Sequence, residues 1–176
     1  MADMAVGVHP SGSDVWWNPE CFAKGATVGA PPDYFNQQGQ DWSQPPLNPI
    51  ELENTGYLTY RHMVQGMFAH AGAVRIDTSS ACSACGDSAG RRRTRRAYVT
   101  YDYEAMIAIL TIEASRVNGL VVGEDLGTVP DYVRTVLAEH GLLGCMVEWF
   151  ARVDDSPNAG DPYATRPITA SMHWLP

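Results

Sequence analysis

No run of nonpolar residues in this sequence approaches the roughly 18–20 needed to span a bilayer, so no membrane partner is expected. No basic segment precedes the short apolar start, Met1-Ala-Asp-Met-Ala-Val-Gly-Val8, which makes it a poor secretory signal. A cytoplasmic location follows by default. Basic residues are scarce: 12 Lys and Arg stand against 20 Asp and Glu, a net charge of -8. That balance argues against a general nucleic-acid binder, whose footprint is basic. The exception is Arg91-Arg-Arg-Thr-Arg-Arg96, which holds five of the 12 basic residues. Alone it has the form of a nuclear or RNA-binding patch, and a solvated loop without a partner is the plainer reading. Cysteine is also sparse, with four in the chain. Cys82-Ser-Ala-Cys85 has the spacing of a zinc half-site or a redox pair, but no second C-x-x-C or H-x₃₋₅-H completes four ligands. Neither a metal nor an organic cofactor is expected.

What is present is an ordinary globular composition, 45% hydrophobic and 18% charged, over 176 residues, enough for one domain with a real core. Residues 1–56 are rich in Pro, Gly, Asn and Gln with scattered aromatics, and Pro31-Pro32 and Pro45-Pro46 break any helix there. The segment is read as long ordered loops of the kind that carry function. Residues 57–71 place Leu58, Met63, Met67, Phe68 and Ala71 at roughly helical spacing, with Gly72 as a C-terminal cap. Ala73-Val-Arg-Ile76 is a strand candidate ending at Asp77. Residues 78–97 show no hydrophobic periodicity.

Periodicity returns at Tyr103–Val117, where Met106, Ile107, Leu110 and Ala114 share a helical face and Gly119 marks the stop. Leu120-Val-Val122 reads as a buried strand with Gly123-Glu124-Asp125 at its C-terminal end. Pro130 opens another helix through Val133, Val136 and Leu137 to His140-Gly141. Cys145–Phe150 reads as a further strand, and the tail from Asp154 as loop. The order helix, strand, helix, strand, helix, strand predicts parallel β/α units.

Two of these strands end in carboxylates, Asp77 and Glu124. In a (β/α)₈ barrel the chemistry sits at the C-terminal strand ends, which makes both catalytic candidates. A carboxylate pair on adjacent strand ends suits retaining glycoside chemistry, in which one group attacks the anomeric carbon and the other protonates the leaving oxygen. Arg75, two places before Asp77, supplies a charge that keeps a nucleophile ionised. The plainer alternative is that each acid is a helix cap or a solvated loop residue.

Four motifs in order carry a resemblance: Val28-Gly-Ala-Pro-Pro-Asp-Tyr-Phe35, Gly39-Gln-Asp-Trp42, Val74-Arg-Ile-Asp77 and Val121-Val-Gly-Glu-Asp-Leu-Gly127. Together they are similar to the amylomaltases, the 4-α-glucanotransferases of glycoside hydrolase family 77. The likeness runs over nearly the whole chain outside residues 78–96 and the tail. It implies an α/β fold, the middle strands of a (β/α)₈ barrel, and transfer of α-1,4-glucan segments between maltooligosaccharides without a cofactor. It implies Asp77 as nucleophile, Glu124 as general acid/base and Arg75 as the arginine beside the nucleophile. Asp33, Gln40 and Trp42 would belong to a loop flanking the acceptor groove, Asp33 hydrogen bonding and Trp42 stacking on sugar. For Trp42, simple loop packing stands as an equal alternative, and Asp125 would support the site rather than act in it. The barrel is then divided into acceptor-side loops at 1–56, β/α units at 57–77 and 97–153, and a loop tail at 154–176. Oligomeric state is left open.

The chain departs from that family in two places. After Asp77 the family continues His-Val-Leu-Gly-Leu-Phe-Arg-Leu-Trp or close to it, whereas this chain has Thr78-Ser-Ser-Ala-Cys-Ser-Ala-Cys-Gly86. One codon set compatible with Asp77 to Gly86 is GAC ACG TCC TCG GCC TGT TCC GCC TGT GGT, and one C inserted after GAC would make it read the family motif. Residues 78–96 are therefore expected to be a frame-shifted, disordered stretch, with the frame restored by Ala97-Tyr-Val99. In the tail, Ser171-Met-His173-Trp174 stands where the family has Thr-His-Asp. His173 fits a substrate-binding histidine, while Trp174 replaces the third carboxylate and cannot accept a sugar hydroxyl. A catalytically inactive remnant that at most binds glucan weakly is the alternative to a working transferase.

Overall fold

The computed structural model describes residues 1–30, 32, 36–77, 84–87, 96–124 and 131–145, and the side chains of all of these except 84–87, 96–98 and 131–134. In chain order its elements are β1 (Ala2–Met4), α1 (Ser13–Trp17), a single 3-10 turn (Pro19–Cys21), β2 (Ala26–Ala30), β3 (Gln40–Gln44), α2 (Pro49–Asn54), α3 (Leu58–Phe68), β4 (Ala73–Asp77), β5 (Ala84–Asp87), β6 (Arg96–Tyr98), α4 (Tyr103–Val117), β7 (Leu120–Glu124), α5 (Asp131–Glu139) and β8 (Leu143–Gly144). Among the described residues no helix is long and apolar enough to cross a membrane.

Two sheets organise these elements. The first is wholly parallel, in the order β1-β4-β7-β8. Its registers pair Asp3 with Arg75 and Asp77 with Glu124. Side chains alternate across a strand, and residues opposite each other share a face. Met4, Val74 and Val121 therefore point to one side and join the core, Val74 with no exposed surface. Asp3, Arg75, Asp77 and Glu124 point to the other. Helices α3 and α4 cover the apolar side through Val64, Phe68, Leu110 and Ala114.

The helices obey local chemistry. Asn48 caps α2 by accepting the Ile50 N–H (3.1 Å), with Pro49 at the first turn, and Asp102 caps α4 by accepting the Ala105 N–H (3.0 Å). The expected stop at Gly119 comes one residue sooner: Asn118 takes the left-handed conformation (φ 53), and the Gly119 N–H then bonds the Ala114 carbonyl (2.9 Å). Glycine is still required at 119, since a Cβ there would lie 2.6 Å from Phe68 Cε1. Gly72 does not cap α3, which ends at Phe68. Its carbonyl instead accepts the Leu120 N–H (3.0 Å), tying the entry of β4 to that of β7. The expected apolar face of α3 is also rotated. Tyr60, Val64 and Phe68 are buried at i, i+4, i+8, whereas Leu58 is exposed, because the position of α4 chooses the face.

Residues 1–56 are not loops throughout. They supply β1, the β2–β3 hairpin, α1 and α2. These elements run three to six residues, too short for periodicity to register, and their backbone pairing is made by partners far along the chain. The second sheet, ordered β3-β2-β5-β6, is antiparallel and includes Ala84–Asp87, inside the stretch where the sequence shows no periodicity. The backbone of Ala84–Asp87 pairs with β2 on one side and β6 on the other. The strand expected at 145–150 is described at Leu143–Gly144, and residues 146–150, Pro130 and the tail lie outside the described residues.

Candidate active site

Three charged side chains meet on the face of the parallel sheet opposite α3 and α4. Arg75 on β4 grips Asp3 on β1 with two hydrogen bonds, Nε to Oδ1 at 3.0 Å and Nη2 to Oδ2 at 2.6 Å. Its remaining nitrogen reaches the other way, Nη1 to Glu124 Oε2 at 3.0 Å on β7. A planar guanidinium with five donors in a fixed fork is suited to such a span, which a point-charge ammonium cannot make. The side chains are 60% exposed at Asp3, 35% at Arg75 and 24% at Glu124, so Glu124 is the most sheltered carboxylate of the group.

Electrostatics follow the geometry. The hydrogen bond from Arg75 holds Asp3 below the usual carboxylate range, against the opposing effect of burial. Arg75 in turn is raised above its ordinary value, first by that hydrogen bond and then by the charge of Glu124. The sequence placed Arg75 beside Asp77 as a charge partner. In the structure its ion pairs run sideways instead, to the two neighbouring strands.

Asp77 and Glu124 are register partners at the C-terminal ends of β4 and β7. Neighbouring strands lie about 4.8 Å apart, which is the scale of the ~5–5.5 Å carboxyl separation that retaining glycoside chemistry uses. Both are partly buried.

Gln40 and Trp42 form a second group, on the hairpin sheet. They lie two apart on β3, and the Trp42 Nε1–H donates to Gln40 Oε1 at 2.9 Å. The hairpin is bulged here. Its register slips between Val28 and Gly29, and Ser43 sits at φ 56 with its N–H held by Asp41 Oδ1 at 2.8 Å. Bulges of this kind re-aim a side chain, here Trp42. A Cβ on Gly29 would land on the Gln40 carbonyl oxygen, so glycine is what allows the close backbone approach. Asp33, Asp125 and His173 lie outside the described residues.

Sequence reasoning missed Asp3. Its signal was the alternation of Ala2 and Met4 around an acid, in a segment read only as a failed signal peptide. Three residues are too few to announce a strand, and the pairing with β4 is 72 positions away.

Comparison with known proteins accords with this geometry. The family model described as 4-alpha-glucanotransferase, glycoside hydrolase 77, matches residues 1–172. The 4-alpha-glucanotransferase of Mycobacterium tuberculosis is 48% identical over 163 residues, 92% of this chain and 22% of that protein. That of Haemophilus influenzae is 36% identical over 176 residues, 99% of this chain and 25% of that protein. The crystal structure of amylomaltase from Corynebacterium glutamicum superposes with a TM-score of 0.80 at 38% identity, covering 89% of this chain and 22% of that one. The chain thus spans about a fifth to a quarter of the length of these relatives, and its parallel sheet with helices is a partial (β/α)₈ barrel. By this match over nearly its full length, the chain belongs to the 4-alpha-glucanotransferase family, glycoside hydrolase family 77.

Proposed function

We propose that this chain carries the glycosyl-transfer centre of a 4-alpha-glucanotransferase that works on maltooligosaccharides in the cytoplasm. The observation that supports this most is the in-register pair Asp77 and Glu124 at two adjacent parallel strand ends, with Arg75 ion-paired to Glu124. In this reading ionised Asp77 attacks the anomeric carbon and forms a glycosyl ester, while Glu124 gives its proton to the departing glycosidic oxygen. Glu124 then takes a proton from the 4-hydroxyl of an acceptor glucan, which displaces Asp77 with overall retention. Arg75 orients Glu124, Asp3 orients Arg75, and Trp42 offers its ring to the acceptor with Gln40 holding the indole N–H. Asp33 and His173 would bind sugar hydroxyls.

A second reading, glucan binding without turnover, is favoured by Trp174, which stands where the family motif has its third carboxylate. Incubation of the chain with maltotriose separates the two. Glucose release and longer products that vanish in Asp77→Asn establish transfer; retention of maltoheptaose without any release establishes the binding remnant.

A further inference from the structure

The parallel sheet β1-β4-β7-β8 has two edges and a second face to account for. Among the described residues β1 pairs with β4 alone and β8 with β7 alone, so each edge strand has no strand neighbour on its outer side. Such edges are templates for pairing with another chain. The face opposite α3 and α4 is also apolar in part. Register sets Val122 and Leu143 beside Arg75, and Leu120 lies two residues before Val122 on that same side. Leu120 is 50% exposed, and Val122 and Leu143 are only partly buried. A parallel sheet is ordinarily covered on both faces, because its strands are apolar on both. Here one face has its helices, and the other still shows leucine and valine to solvent.

Geometry narrows the partner. Parallel strands joined by helices close into a barrel at eight, with a common tilt of about 36°. This sheet supplies four strands, half of that number. Its complement must be four parallel strands of the same twist, apolar toward the axis at matching levels, and a second copy of the chain is such an object. We propose that two copies pair β8 of each with β1 of the other and close an eight-stranded barrel by self-association. A two-fold axis along the barrel generates both junctions at once, keeps every strand parallel and leaves no edge. Pairing β1 with β1, or β8 with β8, would be antiparallel and would leave the other two edges open. Closure buries Leu120, Val122 and Leu143 of both copies in the barrel interior. The charges tolerate it. Arg75 pairs with Asp3 and Glu124 inside its own copy, so no arginine enters without a partner, and Asp77 and Glu124 stand at the strand ends that form the mouth. The carboxylate centre then gains its far wall from the second copy. The inference rests on the fold and stands or falls apart from the transfer reading.

Sedimentation equilibrium of the full chain, across a range of concentrations, is the test. The expected species has twice the mass of one chain. Leu120→Asp places a charge in the closed interior, where it costs most, whereas in a single copy that side chain is half exposed. It is expected to weaken self-association by at least about tenfold with the circular dichroism spectrum unchanged. Trp16→Ala with Trp17→Ala is the control. These indoles are 77% and 74% exposed on α1 and border a groove with α3, so their loss leaves the dimer mass unchanged. Hydrogen exchange in the unaltered chain covers the case in which Leu120→Asp fails to fold. The amides of Ala2–Met4 and Leu143–Gly144 are expected to slow together as the dimer forms. A single-chain mass at every concentration overturns the proposal, as do open-ended larger species or a dimer indifferent to a well-folded Leu120→Asp. Dissociation by the tryptophan pair moves the interface to α1 and refutes closure. Edge amides whose exchange does not slow across the monomer–dimer transition overturn it as well.

Discussion

Arg75 lies 3.0 Å from Glu124 through one guanidinium nitrogen and holds Asp3 with two others. The arginine is a strut across three adjacent strands, and it holds the carboxylate assigned to proton transfer. The arrangement explains why a lysine would not substitute. Its ammonium can reach Asp3 or Glu124, but it lacks the planar fork that serves both at once. Arg75→Lys is therefore expected to lower transfer between maltotriose molecules by ~10²-fold, the scale seen when a positioned donor is lost from a reaction centre. Little change in rate with this variant refutes the strut.

Asp77→Asn and Glu124→Gln keep shape while removing, respectively, the nucleophile and the proton. Each is expected to reduce transfer by at least about 10²–10⁴-fold with the thermal midpoint little changed. Added azide distinguishes them. Azide attacking the glycosyl ester gives net retention, so Glu124→Gln yields the α-glycosyl azide, whereas azide replacing the missing nucleophile in Asp77→Asn gives only the inverted β-anomer. The same anomer from both variants contradicts the roles given to them.

Gly29→Ala tests the hairpin bulge. A methyl group at this position meets the Gln40 carbonyl oxygen, and the backbone of β2 and β3 must separate to admit it. A cost of roughly 1–3 kcal/mol is expected from such overpacking, read as a lower midpoint in urea. Because Trp42 rides on the strand that moves, glucan affinity should fall with it; a stable variant with intact affinity would show that the close approach is incidental.

Glu113 gives a pH dependence whose sign can be worked out. It is buried on α4 and accepts from Arg61 (2.8 Å), Gln65 (3.0 Å) and Arg116 (2.7 Å). Burial pushes its carboxyl up, but the hydrogen bonds from Gln65, Arg61 and Arg116 outweigh that and leave it below the ordinary value of 4.5. A depressed carboxylate adds stability that is fully present above its unfolded value and is lost as pH falls through its folded one. Unfolding free energy should thus be flat near neutrality and decline below about pH 4.5. Glu113→Gln should flatten that decline while costing roughly 1–3 kcal/mol at pH 7, since the two arginines are about half exposed and recover much of their solvation. An acid limb identical in wild type and variant would remove Glu113 as its cause.

The coding DNA tests the origin of residues 78–96. Its codons from Asp77 onward are expected to read His-Val-Leu-Gly-Leu-Phe-Arg-Leu-Trp when one base is inserted after the Asp77 codon. A sequence whose shifted frame encodes nothing of that motif shows Thr78–Arg96 to be a genuine replacement.

Much of the parallel half was legible without coordinates. Ile76 and Val121 are β-branched residues in short runs ended by carboxylates, and Met106, Leu110 and Ala114 repeat at helical spacing. In both cases the signal is local, because a strand or helix face announces itself within a few residues. Asp77 and Glu124 could be singled out for the same reason, as acids at strand ends. The face of α3 was legible only in part: Leu58 fits the period as well as Tyr60 does, and the neighbour α4 alone decides which is buried.

By itself, the sequence determined the family, the alternation of strands and helices from 57 onward, and the two carboxylates, all properties of residue type and spacing. Tertiary structure decided that Ala2–Met4 is a strand beside β4, that Asp3 and Glu124 share one arginine, that Gly29 and Ser43 bulge the hairpin under Trp42, and that Trp16 and Trp17 border a groove with α3. Each of these depends on backbone partners dozens of residues apart or on strands too short for a period, so no local pattern in the chain encodes them and only the closed packing of the sheets and helices brings them about.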